Sequence, residues 1–212
     1  MGLLCKCPLG TAIASITALT CVEDIGQIQR LAFQRLKDTD GDRVQFGAIS
    51  TADTEAVLDA LLAAADDTKV VLTPILANPE MEPGAAIEYG GGNATPGGVP
   101  IMVGREATKL TMLALRIPQS IVKQLKALQC EKLQVYFVNQ HGQLIGETDG
   151  EQTPNLQGFA VQSLFIGDKK FGGFEEPDTN EVILYLEPNW SDDLTAIVPE
   201  YDLLLKEYVP ET

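Results

Sequence analysis

Thr108 to Gly146, TKLTMLALRIPQSIVKQLKALQCEKLQVYFVNQHGQLIG, is the stretch in which each element announces itself. Thr108 to Ile117 is a β run of aliphatic and β-branched residues. Pro118 then suits the first turn of a helix over 118–128, with Ile121, Leu125 and Leu128 on one face and Lys123 and Lys126 in its later turns, where cations complement the helix dipole. Leu133 to Val138 and Leu144 to Gly146 pair across Asn139-Gln140-His141-Gly142 as a hairpin. Strand, short helix and hairpin in succession set an α+β frame.

Downstream, Phe159 to Ile166 and Glu181 to Glu187 read as two further strands around the turn-rich Gly167 to Asn180. Strand parity puts Glu181, Tyr185 and Glu187 on one face and Val182, Leu184 and Leu186 on the other, so the first three are candidates for an exposed wall. Two short apolar runs, Leu194 to Val198 and Leu203 to Leu205, follow among acids, and one of them suits a last strand.

Upstream the pattern is less regular. Ile25 to Leu36 places apolar residues on both parities, and the turn Lys37 to Arg43 tips it towards a strand, with Val44 to Ile49 as its expected hairpin partner. Ser50 to Glu55 supplies capping hydroxyls and acids to a helix whose Val57, Leu58, Leu61 and Leu62 share a face. A β run, Lys69 to Ile75, precedes a change of composition. From Leu76 to Gly104, four prolines and seven glycines punctuate a span that holds no packed core of its own, which makes it a linker or an arm ordered by a neighbour. The expected organisation is an N-terminal arm 1–22 and a single β-rich domain 23–212 with the arm 76–104 and an acidic part 145–212. Its fold class is α+β, mostly β: a β-sandwich or partial barrel of short strands with a pair of helices.

Charge narrows the function. The 212 residues carry 30 acids against 15 Lys plus Arg, a net charge of −15. Residues 145–212 hold 15 of those acids and 3 of the bases, so the excess belongs to the last third. Such a chain gains no affinity for phosphates by neutralising them, nor for an anionic membrane by charge. The N-terminal residues carry no leader, lipidation signal or spanning run, so the chain is expected to be made in a cytoplasm and to stay off membranes. Cysteines at 5, 7, 21 and 130 match no zinc spacing and are read as reduced, small apolar residues. Asp38, Asp40 and Asp42 imitate the start of a calcium loop, but Arg43 stands where that loop needs Gly and Ile49 where it needs Glu. His141 is a turn residue without a neighbouring nucleophile or acid motif. No phosphate-binding, dinucleotide or nucleophile-elbow motif is present; Tyr89-Gly90-Gly91-Gly92-Asn93 lacks the lysine and following helix that phosphate cradling needs. No catalytic, cofactor-binding or metal-ligating residues are assigned, and the chain reads as a non-enzyme.

Three stretches carry a resemblance: Asp24 to Leu36 (DIGQIQRLAFQRL), the arm around Ala86 to Asn93 (AIEYGGGN), and Gln119 to Val138 (QSIVKQLKALQCEKLQVYFV). Together they resemble structural proteins of tailed phages and prophages of Bacteroides-like hosts, and within these the tail tube proteins. The resemblance implies a virion subunit, a β-sandwich flanked by a helix, that associates into six-membered rings stacked as a hollow tube. DNA would pass through it without sequence-specific binding. Gln119 to Leu128 would be the flanking helix, and the arm with Glu88, Tyr89, Gly90, Gly91, Gly92 and Asn93 would reach a neighbouring ring, with other virion proteins as further partners. Glu181, Tyr185 and Glu187 become candidates for the lumen wall. The second helix and the acidic end depart from the simplest tube proteins. They leave open a head decoration, head-completion or connector protein, and, outside virions, a β-sandwich carbohydrate-binding or adhesion module.

Overall fold

The computed structural model describes residues 25–151 and 154–205. The N-terminal arm 1–22, with Cys5, Cys7 and Cys21, lies outside them, as does the end of the acidic tail. The described chain is mostly β, with two α-helices on a curled, half-barrel sheet.

In chain order the elements are β1 Ile28–Arg35, β2 Gly47–Ala48, α1 Glu55–Ala63, β3 Val71–Leu72, β4 Leu76–Glu82, β5 Ala86–Tyr89, β6 Ile101–Arg105, β7 Thr108–Leu115, α2 Gln119–Ala127, β8 Leu133–Asn139, β9 Leu144–Thr148, β10 Asn155–Gln157, β11 Phe159–Ile166, β12 Thr179–Leu186 and β13 Leu194–Ile197. The main sheet runs β2-β10-β9-β8-β11-β12-β7-β4, with β1 and β3 branching from β8 and β13 from β9. All its pairings are antiparallel.

Strand β1 explains its own unclear periodicity. It is buried on both faces. Leu31 and Phe33 enter the larger core with Val135, Phe137, Met112 and Leu184, while Ala32 enters a second core with Tyr136, Val138, Phe46, Leu58 and Leu203. β8, its full-length partner, is likewise buried throughout. A strand between two cores has no polar face, so period two disappears from its sequence.

The expected hairpin of β1 with Val44 to Ile49 does not form. The turn exists: a single bridge joins Lys37 to Arg43, and the Asp38 carboxylate accepts from the amides of Asp40 and Asp42 at 3.0 and 2.9 Å. Beyond it the chain diverges, because both edges of β1 are claimed by β8 and β3, and β2 pairs with β10 instead. The Asp38 carboxylate is thus occupied by turn amides. Helix α1 begins after Thr54, whose hydroxyl donates to the Thr51 carbonyl rather than capping the helix. Helix α2 packs Val122 and Leu125 into the larger core, with Ile121 and Leu128 at its margin.

Polar groups on the second face of β1 and β8 are satisfied among themselves. Gln134 Nε2 donates to Gln34 Oε1 and to the Val44 carbonyl at 2.9 and 2.8 Å, and the Tyr136 hydroxyl donates to Gln34 Oε1 at 2.8 Å. Burial pushes the Tyr136 phenol far above its ordinary pKa, so it stays a neutral donor. Arg30 is fully enclosed; its Nε donates to the Thr73 carbonyl and its Nη1 to the Leu203 carbonyl, both at 2.6 Å. One guanidinium therefore ties β1, the end of β3 and the C-terminal tail together.

Replacing Arg30 by Leu strands those buried carbonyls and is expected to cost roughly 3 kcal/mol in urea unfolding, whereas Lys123→Ala on the exposed side of α2 should cost less than about 0.5 kcal/mol. A loss below about 1 kcal/mol for Arg30→Leu would contradict the tie.

Candidate functional site

The span 76–104 divides in two. Its first part is β4, which pairs with β7 inside the main sheet. Its remainder leaves the sheet as a separate ribbon, β5 against β6. β4-β5 and β6-β7 are thus two sides of one long hairpin, half of which is built into the barrel and half of which projects. At the neck Gly84 lies so close to the Glu106 carbonyl that a β-carbon there would collide with backbone. At the tip Gly90 has φ +82° and faces the Thr95 methyl, which again leaves no room for a side chain. Thr95 braces this tip: its hydroxyl accepts from the Gly91 amide at 3.1 Å and donates to the Val99 carbonyl at 2.7 Å.

Every residue of β5 and β6 is exposed. Tyr89 and Met102 are each 63% accessible, and Ile87, Val99, Ile101 and Val103 join them. A lone two-stranded ribbon is marginal in water, and this one shows apolar side chains on both faces. Of the residues read from sequence, Glu88 and Tyr89 sit on β5, opposite Met102 and Ile101, and Gly90 to Asn93 form the turn beyond. The apolar residues of β6 were missed: Ile101, Met102 and Val103 form a short β run, but the surrounding glycines and prolines masked it.

A second uncovered surface is the outer face of β4, β7, β12 and β11. Val182, Leu184 and Leu186 point into the core, and Glu181, Tyr185 and Glu187 are exposed. Glu181 lies opposite Leu113, Tyr185 opposite Lys109 and Ser163, and Ile183 opposite Thr111 and Phe165. Lys109 Nζ meets Glu82 Oε1 at 3.2 Å, and that hydrogen bond raises the ammonium above its ordinary pKa. The face is mixed, with Leu115 and Phe165 (51% accessible) at one end and Lys109, Glu82 and Tyr185 at the other. The signal for its apolar part is in β7, where Leu113 and Leu115 interleave with the core residues Leu110, Met112 and Ala114.

Glu187 lies apart, beyond the end of β12, in the electrostatic range of Glu147 with Asp193. Burial raises the Glu147 carboxyl above the usual range, against the opposing pull of Arg43, whose Nη2 stands 2.5 Å from its Oε1. Asp193 and Glu187 push in the same direction as burial.

Among the described residues no group of three His, Cys, Asp or Glu side chains is placed to hold a metal. Cys130 is exposed, and His141 sits in the β8–β9 turn beside Gln140. No helix of the described residues is long and apolar enough to cross a membrane.

No protein-family model matches the chain, and no curated protein matches it. A solved structure that is similar in part comes from a tail assembly. It is a chain from the tail of an empty GTA particle of C6 symmetry, 10% identical, covering 57% of this chain and 80% of its own, with a TM-score of 0.32. At that score and identity it decides nothing about this protein.

A carboxyl whose folded pKa exceeds its unfolded one favours the protonated native state, so this contribution to stability is present at low pH and is lost as pH rises through the folded pKa. Glu147→Gln keeps an acceptor for Arg43 and removes the titration. Its stability relative to the wild type should be greater at pH 7 than at pH 4, measured by urea unfolding at each pH. An equal difference at both would contradict a raised Glu147 pKa.

Proposed function

We propose that the chain is a non-enzymatic structural subunit of a virion tail, a tube protomer that self-associates through its projecting hairpin into stacked, six-membered rings around a DNA conduit. The observation that carries this reading is the ribbon β5–β6. Six large apolar side chains, Ile87, Tyr89, Val99, Ile101, Met102 and Val103, stand in solvent on an element with no core of its own. Among the described residues nothing covers that ribbon, whereas a neighbouring protomer would do so. The stretches that resemble tail tube proteins include this arm.

Charge supports the same reading. A conduit for a polyanion works best when its wall repels weakly and holds nothing, and a net charge of −15 suits that role better than any role of gripping DNA. On this proposal Glu181, Tyr185 and Glu187 belong to the wall, and the apolar end of the same sheet face meets a neighbour. Other virion proteins would meet the ends of the stack, and the subunit would be made in the host cytoplasm before it joins the particle.

Two experiments test this. Sedimentation of the purified chain at increasing concentration should show ring-sized species, and Tyr89→Asp with Met102→Asp should leave a folded monomer; a wild type that stays monomeric throughout contradicts the proposal. In the parent particle, Glu181→Lys with Glu187→Lys should leave assembly intact and lower infectivity. Unchanged infectivity would remove these residues from the wall.

A further inference from the structure

Most of the large apolar side chains left in solvent gather at the two ends of one hairpin. At its outer end is the ribbon β5–β6. At its inner end Leu76 of β4 stands opposite Ala114 of β7, and Leu115 opposite Thr179 of β12. There Ile75, Leu115 and Phe165 are exposed, and the β11–β12 loop adds Phe171 and Phe174. The length of β7 from Lys109 to Leu115 separates the two sets by roughly 20 Å. Arg105 Nη1 donates to Asn189 Oδ1 at 2.7 Å, beyond the end of β12 where Leu186 faces Thr108, so the base of the ribbon is held away from Leu115. Among the described residues neither set covers the other.

The inner set is a built surface. Ala77, Leu113, Leu115 and Phe165 floor a concavity of about 760 Å³ walled by the β11–β12 loop. That loop is tied down at several points. Lys170 and Thr179 exchange backbone hydrogen bonds at 2.8 and 3.0 Å, and Lys169 Nζ donates to the Ile117 carbonyl at 3.0 Å. The Gly172 amide donates to Asp178 Oδ1 at 3.0 Å and the Gly173 amide to the Glu176 carbonyl at 3.2 Å. Gly172 lies so close to that carbonyl that a β-carbon would collide with it. Two phenyl rings held in solvent on a loop so braced are aromatic anchors, ready to meet a partner with little further ordering.

We propose that this concavity is the receptor for the ribbon of a second copy, so that protomers join head to tail along the hairpin. The inference rests on the reading of the ribbon as a contact between copies and names the surface it meets. Charge favours it. From Tyr89 to Gly104 the ribbon carries no charged side chain, so in a chain of net charge −15 it approaches another copy without repulsion, and the floor it meets is uncharged as well. Glu88 at the ribbon's base and Lys170 on the receptor wall make no ion pair among the described residues, and their charges are complementary. Size agrees: a two-stranded ribbon, its strands about 5 Å apart, fits across β4, β7, β12 and β11, which span roughly 15 Å. Residues 86–105 reach only the lower limit of about 20 residues a side for a stable interface, so one such contact is weak and assembly rises with concentration. Because the two surfaces differ, each joined pair keeps a free ribbon at one end and a free receptor at the other, and the series extends.

Mixing two variants of the full chain tests this. Tyr89→Asp with Met102→Asp removes the ribbon contact and keeps the receptor; Leu115→Asp with Phe165→Asp removes the receptor and keeps the ribbon. Each variant alone should sediment as a monomer, and an equimolar mixture should form a one-to-one complex that grows no further, since it holds a single intact contact. A receptor variant that assembles as the wild type does, as ribbon-to-ribbon pairing would allow, overturns the inference and leaves the tube reading standing. So does a mixture that stays monomeric while the wild type assembles. A wild type that is itself monomeric removes both. Phe174→Ala should raise the midpoint concentration of assembly about tenfold, and an unchanged midpoint overturns the receptor. Photo-cross-linking needs no aspartate variant to fold: Met102→benzoylphenylalanine should attach to partner peptides holding Leu113 to Leu115 or Phe165 to Phe174, and attachment to the partner's own ribbon overturns the assignment.

Discussion

The pairing of β1 with β8 is the constraint on which the rest of the structure depends. Seven registered pairs, from Ile28 opposite Asn139 to Arg35 opposite Leu133, form a ladder with a packed core on each side. One side holds Leu31, Phe33, Val135 and Phe137, over which β11, β12, β7 and α2 close. The other holds Ala32, Tyr136 and Val138, covered by α1, β10 and the C-terminal tail. Because the ladder is dry on both faces, its polar members are affordable only as a closed set, and Gln34, Gln134, Tyr136 and Arg30 all find partners. A slip of one residue would exchange the two cores and strand each of these groups.

This double burial also determines what could be read from the sequence. One-sided elements were legible: β7, α2, β11, β12 and β13 each carry a period that a single core imposes, while the β8–β9 hairpin was legible from its turn although β8 is buried on both faces. β1 was legible as a strand but not in its partner, because nothing local distinguishes the adjacent Val44 to Ile49 from the distant β8. The short strands β2, β3 and β10 are too brief to carry a period. Within the candidate site, the outward set of β12 followed from parity. The apolar side chains of β6 did not, since Pro100 and Gly104 dominate their surroundings.

The projecting hairpin and the open face of β4, β7, β12 and β11 belong to one continuous feature. The same two strands that lend Leu76 (β4) and Leu110, Met112 and Ala114 (β7) to the core continue outward as a ribbon with no core at all. A movement of the ribbon is thus coupled to the barrel through the backbone at Gly84, where strand and return strand touch. On the proposed reading, this is how an assembly contact made at the tip is held in register with the body of the protomer. The acidic excess of the last third has a structural counterpart in Glu147, Glu187 and Asp193, close enough for their charges to oppose one another.

The central claim is that the hairpin is completed by another copy of the chain. Electron microscopy of the purified full-length protein at high concentration tests it most directly. Hollow rings, with the ribbon β5–β6 lying against the neighbouring protomer, are the result this account predicts. A uniform field of single protomers with the ribbon still in solvent would contradict it.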